Sequence, residues 1–273
     1  MSESITSQEQ LDDLKIKALN AFAHSLNVCR QELSQQIVQE EITYRYAIIK
    51  AYSKVLLIAR EIYTLLVKGY PEGAFSLSRS LHEAAVIINT LLTGASSNNN
   101  ELLEHFFDAA EIARIKIELT EVEWFIEKDA NFKPAQERLD QLTSELEQYK
   151  IKYPDHRFKD YWWANANTFH ELAESSNFSK NYIYKHVSGN VHFNAYNTLH
   201  YIDSSDNSIL IGETDKGIEL PLWFSTLALY CIAGIIKEHM PDLISSSVLT
   251  ALEAGHQAAS ELKVQTIEYN NRQ

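Results

Sequence analysis

The sequence predicts an all-α protein, a multi-helix bundle of seven to nine helices with a protruding acidic helical hairpin. Three observations carry that expectation. The 273 residues include only 8 Gly and 5 Pro, well under the average usage of about 7% and 5%, so the turns a many-stranded fold requires are scarce. Hydrophobic residues make up 45% of the chain, which suits a sizeable core and excludes disorder as the main state. Apolar side chains also recur at steps of three and four through most of the length, the period of a helix face.

Thr6 and Glu9 have the spacing of a capping box, in which each side chain satisfies a backbone N–H of the other, so a helix is expected to start there. Leu11, Leu14, Ala18, Phe22, Leu26, Cys29 and Leu33 then fall on one face. A second stripe runs through Ile48, Tyr52, Val55, Ala59, Ile62 and Leu66, giving two long helices that form an antiparallel pair or one kinked rod. Tyr70-Pro71-Glu72-Gly73 interrupts the pattern, and Pro71 suits the first turn of the next helix, where its missing N–H costs nothing.

That third helix is expected over about Gly73 to Leu92, with Phe75, Leu77, Leu81, Ala84, Ala85, Ile88 and Leu91 inward and a loop over Gly94 to Asn100. Asn98 and Glu101 repeat the cap spacing. The acidic stretch that follows to Tyr153 is divided by Pro134 into two helices, read as a solvated hairpin. After Tyr161-Trp162-Trp163, Thr168 and Glu171 open a short helix ending near Ser176. Residues Asp203 to Gly217 are turn-rich, with Ile209-Leu210-Ile211 the one strand-like stretch.

Pro221 starts a helix whose charge-free run, Leu220 to Ile236, is shorter than the ~20 apolar residues of a membrane span and carries Ser225, Thr226, Tyr230 and Gly234. A buried central helix is expected, and no membrane association. A last amphipathic helix spans about Pro241 to Thr266. The expected organisation is one all-helical domain over 1–273, with an N-terminal helix in 1–40, a bundle core in 41–97 and 160–273, and the hairpin inserted at 98–157.

With 24 Lys+Arg against 37 Asp+Glu, the formal charge is −13. Such a balance argues against a nonspecific nucleic-acid coat, which needs surplus cations to neutralise phosphates. The segment from Met1 to Gln10 is polar and acidic, without the basic-then-apolar order of a secretory signal, so a cytoplasmic location is expected. Cys29 and Cys231 sit apart among apolar neighbours and make neither a disulfide framework nor a zinc cluster; buried reduced thiols are expected.

Two constellations carry chemistry. Arg79 and Glu83, four apart in the third helix, share a face and can pair. Such a pair is ordinarily solvated, but the apolar flanks here imply partial burial and a need for further partners. The second is Asn181-Tyr182-Ile183-Tyr184-Lys185-His186-Val187-Ser188-Gly189-Asn190-Val191-His192. On a helix, Tyr184, Ser188 and His192 fall four apart, and Lys185 lies seven before His192, so a cation, a hydroxyl and an imidazole line one strip. That strip suits phosphodiester chemistry: the imidazole can take a proton from a ribose 2′-hydroxyl while the cation stabilises charge growing on the phosphate. The bland reading is a polar helix face with buried Tyr rings.

Together the two segments resemble an uncharacterised bacterial helical family with an Arg-Ser-x-x-Glu helix and a downstream Tyr…Ser…His helix, over roughly residues 45 to 240. The second segment also resembles the HEPN superfamily of helical nucleases, whose signature is Arg, four to six residues, then His, often with a polar residue after the Arg. Lys185 stands in the Arg position, His186 in the polar position and His192 in the His position. Lysine lacks the planar two-pronged grip of arginine on phosphate. The resemblance implies a metal-independent endoribonuclease, or its inactive descendant, acting on RNA as a homodimer in a bacterial toxin or anti-phage defence module, with no cofactor. His192 would be general base or acid, Lys185 the phosphate-stabilising cation, His186 or Ser188 a positioning group, and Arg79, Glu83 and Tyr184 would orient the strip.

Two alternatives stand beside this. A non-catalytic adaptor or sensor would dock a basic protein partner on the acidic hairpin. A small-ligand pocket could be built from Tyr182, Tyr184, Trp162, Trp163 and Arg79, since converging rings with a few polar groups make such sites. Glu253-Ala254-Gly255-His256 has the spacing of a helical di-metal carboxylate motif but no second copy, so no metal is expected. Glu101, His105 and Asp108 share a helix face and read as solvated. No phosphate-binding loop ending in Lys-Ser/Thr and no serine nucleophile elbow occurs.

Overall fold

The computed structural model describes residues 7–36, 43–129, 133–155, 157–175, 214 and 216–272. Among them are eight α-helices and one 3-10 turn: α1 (Gln8–Leu33), α2 (Tyr44–Val67), α3 (Pro71–Ser96), α4 (Asn100–Lys128), α5 (Lys133–Lys152), the turn Trp162–Ala164, α6 (Phe169–Ser175), α7 (Glu219–His239) and α8 (Ser246–Asn270). The all-α expectation is met. The strand-like stretch at 209–211 lies outside the described residues. Two compact units form, one from residues 1–41, 45–92 and 178–273 and the other from 42–44 and 93–177.

In the first unit α1 packs along α8, α8 along α7, and α1 also touches α7. The expected stripes do this work. Phe22, Ile48, Ile62 and Leu66 are among the largest side chains sealed from solvent, each removing enough apolar area to contribute about 2–3 kcal/mol. Helices α1 and α2 form the antiparallel pair, with Phe22 edge-on to Tyr63, ring centroids 6.1 Å apart, and Cys29 beside Tyr52. Gly255 of α8 lies so close to α1 that a Cβ there would stand 2.6 Å from Ser25 Oγ. Ser25 seals that crossing by donating to Ala251 O at 2.6 Å, with Ala21 O at 2.9 Å as its other acceptor.

Several boundaries differ from the sequence expectation, each for a local reason. Thr6 lies outside the described residues, and the capping box is formed one step later by Ser7 and Gln10. Helix α3 continues to Ser96 because Gly94 fits where helices nearly touch: a Cβ there would meet Leu102 at 2.4 Å and the Tyr44 hydroxyl at 2.7 Å. Asn98 then ends the turn with a φ of 53°, a left-handed conformation asparagine tolerates, so Asn99 is the residue that caps α4. Helix α8 begins at Ser246, capped by Ser245, which also donates from its backbone N–H and hydroxyl to Glu32.

The second unit is built on the antiparallel α4–α5 hairpin. Its helices bury few apolar side chains, Leu103, Ile112, Ile115, Ala135 and Leu142 among them, and are clasped by an ion network. Arg114 pairs with Glu111 and Glu118 on its own helix and with Glu145 across the hairpin, and Arg138 also pairs with Glu118. Below the clasp is an aromatic core. His105 stands edge-on to Tyr153 at 5.0 Å and lies 5.2 Å from Trp162, while Phe106 packs edge-on to Trp163. Of the three residues read as solvated, Glu101 is, with 79% of its side chain exposed, whereas His105 is buried among rings and Asp108 accepts from Lys152 and the Tyr153 hydroxyl.

Candidate functional site

On α3, Ser78, Arg79, His82 and Glu83 occupy successive turns of the helix. The pattern of small and apolar neighbours brings this stretch against α7, where Phe75 meets Phe224 with ring centroids 5.6 Å apart. Ser78 and Ser225 bring their hydroxyls to 3.0 Å. Each serine has one proton. Ser225 donates it to Pro221 O at 2.7 Å, so Ser78 donates to Ser225 or to Ala74 O. Both hydroxyls are thus spent on staples inside the core, and neither is poised as a nucleophile.

The Arg79 Nε donates to Glu83 Oε1 at 2.8 Å, and the two side chains keep only 25% and 27% of their exposure. The pair is partly buried, as the apolar flanks imply. Burial holds the neighbouring His82 imidazole below its ordinary pKa, so it stays neutral at pH 7 and adds no charge to the pair.

The remaining sequence-derived site residues, Tyr184, Lys185, His186, Ser188 and His192, lie outside the described residues, as does Tyr182. Trp162 and Trp163 are buried in the aromatic core of the second unit, their faces taken up by His105, Tyr153, Phe158 and Phe106.

A second polar cluster, between α7 and α8, was not singled out by the sequence. Trp223 Nε1 donates to Ser260 Oγ at 3.1 Å, and Lys263 Nζ stands 3.4 Å from the centre of the same indole, a close cation–π contact. Burial lowers the Lys263 pKa from its ordinary value. His256 lies between Trp223 and Tyr230 with Nδ1 3.4 Å from Thr226 Oγ1. Thr226 Oγ1 also stands within hydrogen-bond reach of the Leu222 and Trp223 carbonyls. Burial keeps the ring below its ordinary pKa. The signal was present in principle: Trp223, Thr226 and Tyr230 on one helix and His256, Ser260 and Lys263 on the other each repeat at three and four. Glu253 shares no metal-ligand group with His256; among the described residues no three His, Cys, Asp or Glu side chains come together.

These features define an all-helical protein with a partly buried Arg–Glu pair on a central helix. The chain belongs to a family of unknown function (DUF5677), whose profile matches residues 45–209. That span begins at the second residue of α2 and takes in both the Arg79–Glu83 segment and the Tyr184–His192 segment. No curated protein and no solved structure matches the chain significantly.

Proposed function

We propose that this chain is a HEPN-like, metal-independent ribonuclease, or a descendant that keeps the site without the activity, working as a homodimer in a bacterial toxin or anti-phage module. The observation that supports it most is the Arg79–Glu83 pair, three-quarters buried on a helix inside the family-matched span. A solvated decoration would leave both groups in water. A partly buried pair wants further polar partners, and the proposed RNA site supplies them. In the proposed reaction His192 takes the proton of a ribose 2′-hydroxyl, and the resulting oxygen attacks the adjacent phosphorus. The bond to the 5′-oxygen of the next nucleotide breaks and that oxygen takes a proton from water, giving a 2′,3′-cyclic phosphate and a 5′-hydroxyl, while the hydroxide left behind neutralises the His192 imidazolium. Lys185 stabilises the charge that builds on the phosphate oxygens, and His186, Ser188, Tyr184, Arg79 and Glu83 position these groups. The test is cleavage of total RNA and tRNA in EDTA, wild type against a folded His192→Ala variant.

One observation favours a second reading, a partner-binding adaptor. On the acidic α4, Ile117, Trp124 and Phe125 are each more than half exposed, and large aromatics set among carboxylates suit a partner surface that is apolar and basic. Loss of binding to such a partner on Trp124→Ala, with RNA untouched by the wild type, would move the assignment to the adaptor.

A further inference from the structure

A groove of about 470 Å³ runs between α1 and α2, lined by Ala23, Leu26, Asn27, Arg30 and Leu33 on one side and Ser53, Leu56, Leu57, Arg60 and Tyr63 on the other. The two walls have the same spacing: each helix contributes positions i, i+3, i+4, i+7 and i+10. That repetition is what a helix shows to a neighbouring helix, and here two antiparallel helices show it to the same empty seam. The floor is apolar, and Leu57 is half exposed on it. Each wall carries one arginine, at its i+7 position. In a chain of formal charge −13, where carboxylates outnumber cations, neither Arg30 nor Arg60 makes an ion pair or side-chain hydrogen bond among the described residues.

The register of the pair places the two guanidinium groups. Contacts of Cys29 with Tyr52 and of Phe22 with Tyr63 set Arg30 level with Ser53, seven residues before Arg60 on α2. Seven residues of helix rise about 10.5 Å, two turns. The arginines therefore flank the seam from opposite walls, two turns apart.

We propose that this groove docks an amphipathic helix of a partner protein, one with an apolar stripe at steps of three and four and acidic residues two turns apart on its opposite flanks. The stripe fills the seam over Leu26, Leu56 and Leu57, and the carboxylates meet Arg30 and Arg60. Helix α1 precedes the family-matched residues, so one wall of the groove is built by chain outside that match. The inference is independent of any action on RNA.

The test uses the full-length protein and two labelled three-heptad peptides with the same leucine stripe, one with glutamates on its flanks and one with lysines, read by fluorescence anisotropy. Because the protein is strongly acidic, nonspecific attraction favours the lysine peptide. Specific docking predicts the opposite, with the glutamate peptide bound about ten-fold tighter and its affinity falling with salt. An Arg30→Glu/Arg60→Glu variant, altered at exposed positions and checked for unchanged helicity, is expected to reverse the order, and Leu57→Lys to weaken both peptides. Equal binding, a lysine preference in the wild type, or indifference to the double reversal would overturn the proposal. So would a wild-type dimer in solution that Leu57→Lys converts to a monomer, since a second copy would then occupy the groove.

Discussion

Replacing Gly255 with alanine tests the tightest crossing in the first unit. The new Cβ would stand 2.6 Å from Ser25 Oγ, with Ala21 O at 3.6 Å and Ser25 Cβ at 3.7 Å. Only the hydroxyl is too close. Ser25 can rotate away by giving up its bond to Ala251 O, which costs about 1 kcal/mol, and overpacking of a sealed contact adds about 1–3 kcal/mol where rotation is incomplete. Alanine in a helix interior returns about 1 kcal/mol over glycine. The net runs from about zero where Ser25 rotates fully to a loss of about 3 kcal/mol where it does not. In a Ser25→Ala background the offending atom is gone and the other contacts are ordinary, so Gly255→Ala is expected to stabilise by about 1 kcal/mol. Urea denaturation followed by circular dichroism on the four proteins of this cycle reads both signs. A gain in both backgrounds would show that α1 and α8 do not cross at Ser25 and Gly255, and the packing described here would be wrong.

Other outcomes follow from the buried polar groups. His82 and His256 are both held below the ordinary histidine pKa by burial, so the unfolded chain protonates first as pH falls; stability is intact above about 6.5 and declines below it, and His82→Gln is expected to flatten that decline in urea midpoints measured from pH 7 to 5. At the alkaline end, burial raises the Cys29 thiol to about 11 and the Tyr153 hydroxyl to about 12. Both protons are held more tightly in the folded chain, so their contribution is lost as pH rises through those values, and Tyr153→Phe is expected to narrow the loss in the same assay. A double-mutant cycle on Arg79 and Glu83 is expected to give a coupling of about 0.5–1 kcal/mol, modest because a quarter of each side chain meets water. If the pair positions the RNA site, Arg79→Lys lowers kcat with little change in melting temperature.

How much of this was legible in the sequence follows from the range of each interaction. The stripes of α1 and α2 were readable because a helix face repeats locally, and Phe22, Ile48 and Ile62 are sealed as their spacing implies. Cap positions slipped by one where neighbours offered equal chemistry: Thr6 and Ser7, or Asn98 and Asn99, and only backbone conformation distinguishes them. Gly94 looked like a loop because its reason to be glycine, the nearness of Leu102 and Tyr44, is tertiary. His105 looked solvated for the same reason: its partners Tyr153 and Trp162 are some fifty residues away in the chain. Of the candidate site, the Arg79–Glu83 pair was visible as an i,i+4 spacing. The Trp223–Lys263 and Thr226–His256 contacts needed the register between α7 and α8, which no single-helix pattern contains.

One comparison tests the proposed chemistry on RNA directly. Purified wild-type protein and a His192→Ala variant of matched helicity are incubated with total RNA and tRNA in EDTA, and the product ends are identified. An active enzyme of this kind cleaves RNA as the wild type, leaving 2′,3′-cyclic phosphate and 5′-hydroxyl ends, and leaves RNA intact as the variant. Cleavage that survives the loss of His192, or that stops when EDTA removes metal, would contradict it.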